Sequence, residues 1–307
     1  GSELSGTIII FMDPPRQTRY RNLVSKVFTP GRIGGLEGPI RDLTIGHLER
    51  LEGKESFDAV GEFAAKLPMD VISTMLGIPE QDRDMVRGWS NDVLHRDPGR
   101  PEPPKRAIEA QGSLIDYFGK LIDEKTRRPA KDLMSALIAC EIKGEGGETE
   151  KLSRYEMTTF ANLLATAGNE TVTKLLATAI YWLCRYPDQR RALVEDPSLI
   201  TGAVEETLRF DPPSHYQGRT LTRDVELHGR VMPEGARVML INGATGRDAR
   251  RFPDPDRYDV RRQVDVHLAF GYGTHSCLGA ALARLESRIA LGEFLARFPD
   301  YSVDESG

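Results

Sequence analysis

The chain has 307 residues, enough for one large core or two smaller ones, with 39% hydrophobic residues, 28% charged residues and a net charge of −5. That balance is ordinary for a globular protein and gives no reason to expect nucleic acid as a partner. Three cysteines without framework spacing argue against a disulfide scaffold and for a reducing compartment, and no apolar run approaches the roughly 20 residues that span a bilayer as a helix.

Met12-Asp13-Pro14-Pro15 is an extended, proline-fixed start. Residues 17–28 read as a helix ended by Thr29-Pro30-Gly31, and further helices are predicted over 32–52, 57–77, 80–95 and 105–127. In the second of these, Val60, Phe63, Leu67, Val71 and Met75 form an apolar stripe. The proline-rich stretch 96–104 must be a loop. Residues 131–142 look helical, and 143–151 form a charged glycine loop. A long helix opens on a capping box of Ser153 and Glu156 and persists to Tyr186, where Pro187 stops it. Another helix fits 198–210. After Pro212-Pro213 the pattern turns to short strands at 225–227, 230–232 and 237–241, the first two joined by His228-Gly229. A proline- and arginine-rich meander over 250–262 leads to a last helix marked by Leu278, Leu282, Leu285, Ile289, Leu291 and Leu295. The expectation is a mainly α protein with a small β portion, a single domain over 1–307.

The stretch Phe270 to Gly279, Phe-Gly-Tyr-Gly-Thr-His-Ser-Cys-Leu-Gly, hands over to that last helix. Cys277 therefore faces unpaired backbone N–H groups and the positive end of a helix dipole, which favour the metal-ligating thiolate. Gly271 and Gly273 allow turns closed to other residues, and Gly279 lets the helix start approach something flat. His275 could donate to an anion beside the metal. Two other readings stand beside this one. A cysteine can simply be buried in a glycine turn. A zinc site could be built from His267, His275 and Cys277, although no second cysteine lies at ligand spacing.

The decapeptide resembles the haem-binding loop of the cytochrome P-450 family, Phe-Gly-x-Gly-x-(Arg or His)-x-Cys-x-Gly, at every fixed position. The resemblance extends from Met12 to about Val303, with the motifs in family order. It implies the family's mainly helical fold and a haem-thiolate monooxygenase with Cys277 on the iron of haem b. The reaction it implies inserts one oxygen atom from O2 into a lipophilic small molecule. With no nucleotide fingerprint in the chain, electrons would come from a separate ferredoxin and ferredoxin reductase. A soluble, cytoplasmic, bacterial-type protein is expected. The family's leading segment, before the Asp-Pro-Pro helix, is absent from this sequence, so the fold is expected to be N-terminally truncated. A haem protein that senses gas or carries electrons without oxygenating is the alternative.

Under the same resemblance, Ala167-Gly168-Asn169-Glu170-Thr171 matches the oxygen-activating segment, with Thr171 ordering water and Glu170 helping to deliver protons. Gly168, costly in mid-helix, would let the backbone open there, and a flat cofactor or O2 pressed against Ala167 and Gly168 would be its reason; a polar helix patch in which Gly168 serves helix packing is the other reading. Glu206 and Arg209 fit Glu-x-x-Arg on one helix face, and Arg257 would complete a structural cluster under the cysteine loop. Gln17, Arg21, Arg219 and His275 look like partners for the haem propionates. Ser214, His215 and Tyr216 match a segment that faces the substrate pocket, where His215 and Tyr216 either anchor a polar group or satisfy backbone nearby.

Overall fold

The elements form where capping chemistry and burial agree. A computed structural model describes residues 8–100, 102–143 and 147–306. The Ser153–Glu156 box closes in both directions: Glu156 accepts from the Ser153 N–H at 2.8 Å, and the Ser153 hydroxyl accepts from the Glu156 N–H at 3.2 Å. It opens α8, which runs unbroken from Arg154 to Arg185. The chain divides into two compact units. One holds the chain through Thr173 together with Leu278–Glu293, and the other holds Lys174–Cys277 together with the residues from Phe294 on.

In the first unit α1 (Arg16–Ser25) is tied to the start of α8. The Tyr20 hydroxyl donates to the Glu156 carbonyl at 2.6 Å, and Arg19 meets Glu150, Glu156 and the Lys151 carbonyl. The expected helix over 32–52 is two: α2 (Pro30–Gly34), opened by the Thr29 side chain, and α3 (Glu37–Glu49). Residues 57–77 also divide. Asp58 caps a π-helical turn over Ala59–Ala64, and α4 (Leu67–Leu76) follows. The wide turn breaks the expected stripe, so Val60 is 45% exposed while Phe63, Leu67, Val71 and Met75 are buried.

α5 (Arg83–Leu94) and α6 (Lys105–Arg127) pack together through Trp89 and Tyr117, whose ring centroids lie 6.2 Å apart. α7 (Leu133–Ala139) is capped by Asp132. Its expected C-terminal extension is instead β1 (Ile142–Lys143), paired antiparallel with β2 (Thr149–Glu150). Residues 144–146 of the charged glycine loop lie outside the described residues.

In the second unit Pro187 ends α8 and also opens α9 (Pro187–Glu195), a helix the sequence reading lacks. Proline removes the donor a continuing helix needs but is at home in the first turn of a new one. α10 (Ile200–Phe210) follows. β3 (Gln217–Thr220) pairs antiparallel with β6 (Arg237–Leu240), in register Gln217 to Leu240. β4 (Val225–Leu227) and β5 (Arg230–Met232) form a tight hairpin. His228 and Gly229 both take positive φ, 52° and 73°, as a two-residue hairpin turn requires. A short α11 (Asn242–Thr245) precedes the meander. The core here is aromatic: Trp182, Tyr186, Phe210 and Tyr258 stack edge-on or tilted at 4.9–6.3 Å. α12 (Ala280–Arg297) closes the chain and contributes to both units.

Candidate active site

The cysteine loop is built by glycines and one backbone clasp. Gly271 and Gly273 take φ of 70° and 75°, open to glycine at no steric cost. The Cys277 N–H donates to the Phe270 carbonyl at 2.8 Å, closing the loop three residues before α12 begins. The Cys277 side chain is exposed, whereas Cys140 is buried and its Sγ donates to the Leu23 carbonyl. Burial also pushes the Cys140 thiol up from its ordinary value, which keeps it protonated and inert. A Cβ on Gly271 would lie 3.4 Å from the Gln217 amide, so the loop lies against β3.

What holds the loop is α10, through two consecutive glutamates. Glu205 meets His267 Nε2 at 3.0 Å, and His267 Nδ1 accepts from the Ala269 N–H at 3.2 Å. With Nδ1 accepting, the proton sits on Nε2, which donates to Glu205. Both nitrogens are therefore committed to positioning the loop, and His267 is not a metal ligand. Among the described residues no group of three or more His, Cys, Asp or Glu could hold a metal ion, so the zinc reading fails.

Glu206 is 0% exposed and takes the Arg209 guanidinium side-on, at 2.7 Å from Nε and 2.8 Å from Nη2. Arg209 spends its remaining donors on the carbonyls of Gly246, Pro255 and Arg257. The second guanidinium on Glu206 belongs to Arg262, at 3.3 Å, and not to Arg257 as expected. Arg257 is exposed and offers only its carbonyl. The reason is alternation along the meander. Tyr258 turns inward, is fully buried and bonds Thr207 at 2.8 Å, so its neighbour turns out.

In the first unit Ala167 and Thr171 are exposed one turn apart on α8, while Ala165, Thr166, Asn169 and Val172 around them are buried. α8 does not open at Gly168. The Thr171 hydroxyl donates to the Ala167 carbonyl at 3.0 Å, and the space a Cβ on Gly168 would need is bounded by Ile72 at 3.3 Å. Helix packing is therefore a sufficient reason for this glycine. Glu170 is half-buried. On α1, Gln17 is buried and Arg21, one turn on, is half-buried.

These features fit a flat apolar group with an anionic edge and a metal. A thiol is presented to the outside in front of a helix start. Met239, Leu240 and Ile241 expose apolar surface in the same unit as that thiol. Arg219 is exposed and, among the described residues, neither it nor His275 has a carboxylate partner, which suits both to an anion. Sequence reading missed Glu205, His267 as a tether, Arg262 and Gly246. The last accepts from Arg209, and a Cβ there would stand 1.9 Å from the Arg209 carbonyl oxygen. Glu205 was marked by its place next to Glu-x-x-Arg, whereas no sequence signal pointed to Gly246 or chose Arg262 over Arg257.

A cytochrome P450 family model matches residues 100–301. The mycobacterial protein named cytochrome P450 123, from Mycobacterium tuberculosis, is 45% identical over 298 residues, covering 97% of this chain and 73% of its own length. Cytochrome P450 107B1 of Saccharopolyspora erythraea is 41% identical over 302 residues, covering 98% and 72%. Among solved structures, cytochrome P450 PksS of the Bacillus subtilis bacillaene polyketide synthase superposes with a TM-score of 0.91 at 33% identity, over 97% of this chain and 75% of that one. No helix among the described residues is long and apolar enough to cross a membrane. Motif, fold and relatives converge, and the chain belongs to the cytochrome P450 family, haem-thiolate monooxygenases whose cofactor is haem b.

Proposed function

We propose that this monooxygenase oxidises a lipophilic small molecule in the cytoplasm, with electrons from a separate ferredoxin and its reductase. Cys277 would hold the iron, and Phe270, Gly271, Gly279, Ala167 and Gly168 would line the haem. Gln17, Arg21, Arg219 and His275 would hold its propionates. Bound haem supplies the one-electron and O2 chemistry. The protein's part is to bind, orient and move a proton. Cys277 stands at a helix start, where backbone N–H groups favour the thiolate. The Thr171 hydroxyl would exchange its bond to the Ala167 carbonyl, worth about 1 kcal/mol, for a water molecule. Glu170 beside it would pass the proton inward from solvent. Glu206, Arg209 and Arg262 keep α10 and the meander in place.

The observation that carries the reading is an exposed cysteine behind two positive-φ glycines and just ahead of a helix. Its test is a pair of variants. Cys277→Ala should lose the thiolate-type band of the reduced carbon monoxide complex, and an unchanged band rejects Cys277 as ligand. Thr171→Ala should keep that band and its haem content. Its product formation should fall by about 10²-fold or more, with peroxide rising, if Thr171 serves as acid catalysis requires. Retained coupling of product to reductant rejects the role of Glu170 and Thr171.

A further inference from the structure

A half-open cavity of about 620 Å³ in the second unit is walled by Lys174 and Thr178 of α8 and by the stretch 211–216 that follows α10. Its lining is not that of a lipophilic pocket. Apart from two prolines, every lining residue is polar: Lys174, Thr178, Asp211, Ser214, His215 and Tyr216. Ligand sites for apolar molecules are lined mainly by aliphatic and aromatic side chains with few polar groups. Here six of the eight lining residues are polar.

The polar groups are also held in place. Asp211 accepts from the Trp182 indole N–H at 3.0 Å, and its other oxygen lies 3.4 Å from His215 Nε2. The His215 carbonyl accepts from the Gly243 N–H at 2.9 Å, which fixes the backbone carrying the imidazole. The Tyr216 side chain stands 61% exposed beside it. Formal charge on the lining balances, one lysine against one aspartate. An anion drawn to Lys174 would meet Asp211 in the same space. A bare hydrocarbon would cover hydroxyl, carboxylate and ammonium groups without replacing their bonds to water. A neutral group with many hydroxyls does neither. It donates to Asp211, accepts from Lys174, Thr178 and Ser214, and offers the C–H face of its ring to Tyr216. Thr171, Lys174 and Thr178 recur at three- and four-residue steps and so share one stripe of α8.

The geometry points to a substrate whose lipophilic body carries a neutral, hydroxyl-rich group, a sugar or polyol, seated in this cavity. The inference rests on the monooxygenase reading and narrows its substrate class. Holoenzyme titrated calorimetrically with three probes of equal tail length tests it: n-octyl β-D-glucoside, n-octanol and octanoate, each below its micelle concentration. The glucoside should bind tightest, by about tenfold over octanol, the value of one or two net hydrogen bonds. His215→Ala and Tyr216→Ala should each shrink that advantage to about twofold or less while octanol binding stays as it was. Octanoate binding tightest overturns the proposal in favour of an anion read by Lys174. Octanol matching the glucoside overturns it too, as does an advantage that survives both variants. Calorimetry reads the cavity whether or not turnover occurs. The carbon monoxide band of the same preparation reports separately on the haem reading.

Discussion

Two glutamates, one in each unit, are sealed from solvent and are treated in opposite ways. Glu206 on α10, 0% exposed, is met by Arg209, by Arg262 and by the Asp259 N–H. Glu286 on α12, 1% exposed, has an Oε2 with no hydrogen-bond partner, and burial pushes its carboxyl well above the ordinary carboxylate range. The first is a buried charge neutralised by guanidinium groups. The second avoids being a charge at all by keeping its proton. The difference teaches where this fold needs fixed geometry. The paired glutamate stands next to Glu205, whose His267 partner holds the approach to the cysteine loop. The unpaired one sits inside a long helix whose backbone already fixes its position.

The largest effect should come from Glu206→Ala. Removing one member of a buried pair leaves Arg209 charged and without its carboxylate, at roughly 3–5 kcal/mol. Arg262 loses the same anchor, so the meander and the loop held from α10 should loosen together. Unfolding by urea and haem content per chain read this directly. A variant with wild-type stability and full haem would mean the cluster is open to water, and the contrast with Glu286 would collapse.

Glu286→Gln tests the other side. The unfolded chain releases this proton near pH 4.5, while the folded protein keeps it to a much higher pH. Above that point the unfolded state binds fewer protons than the folded one, so each further pH unit costs the wild type about 1.4 kcal/mol until the folded carboxyl itself titrates. Glutamine has nearly the same shape and no proton to lose. The variant should match the wild type at pH 4 and gain on it as the pH rises from about 4.5 towards the raised folded-state value. Stability curves that run parallel over that range would show Glu286 to be ionised in the folded protein, with a partner as effective as that of Glu206.

Much of this was legible in the chain. The cysteine loop was readable because its glycines sit where positive φ is needed at 271 and 273. The capping box of α8 and the His228-Gly229 turn were readable for the same local reason. Glu206 and Arg209 were readable as a pair by their three-residue spacing. What escaped depends on partners distant in sequence. Which arginine of the meander reaches Glu206 is settled by Tyr258 turning inward, and no spacing rule reports that. Gly246 is required by an Arg209 carbonyl 37 positions earlier, 1.9 Å from where a Cβ would stand. Gly168 was singled out as a costly mid-helix glycine, and the neighbour found against it is Ile72 on α4. His267 was noticed as a metal candidate because its partner, Glu205, lies 62 positions before it.

The smallest effect belongs to Ser287, the neighbour of Glu286 on α12. Its Oγ is buried without a hydrogen-bond partner, and the residue is 1% exposed. A buried hydroxyl left unpaired costs stability, while a paired one contributes about 1 kcal/mol. Serine is also a poorer helix former than alanine by a few tenths of a kcal/mol. The one atom lost leaves a cavity no larger than a hydroxyl group. The small cavity opposes the first two terms without outweighing them, so Ser287→Ala should be neutral or stabilising by up to about 1 kcal/mol in urea unfolding. A loss of 1 kcal/mol or more would mean that the hydroxyl has a partner when the protein is loaded, a bound water or the cofactor. In that case Glu286 beside it could share the same partner, and its proton would be held by a hydrogen bond and not by burial alone. Measuring the Ser287→Ala effect in both the wild-type and Glu286→Gln backgrounds separates these cases. Independent sites should add to within about 0.3–0.5 kcal/mol, and a shared partner should not.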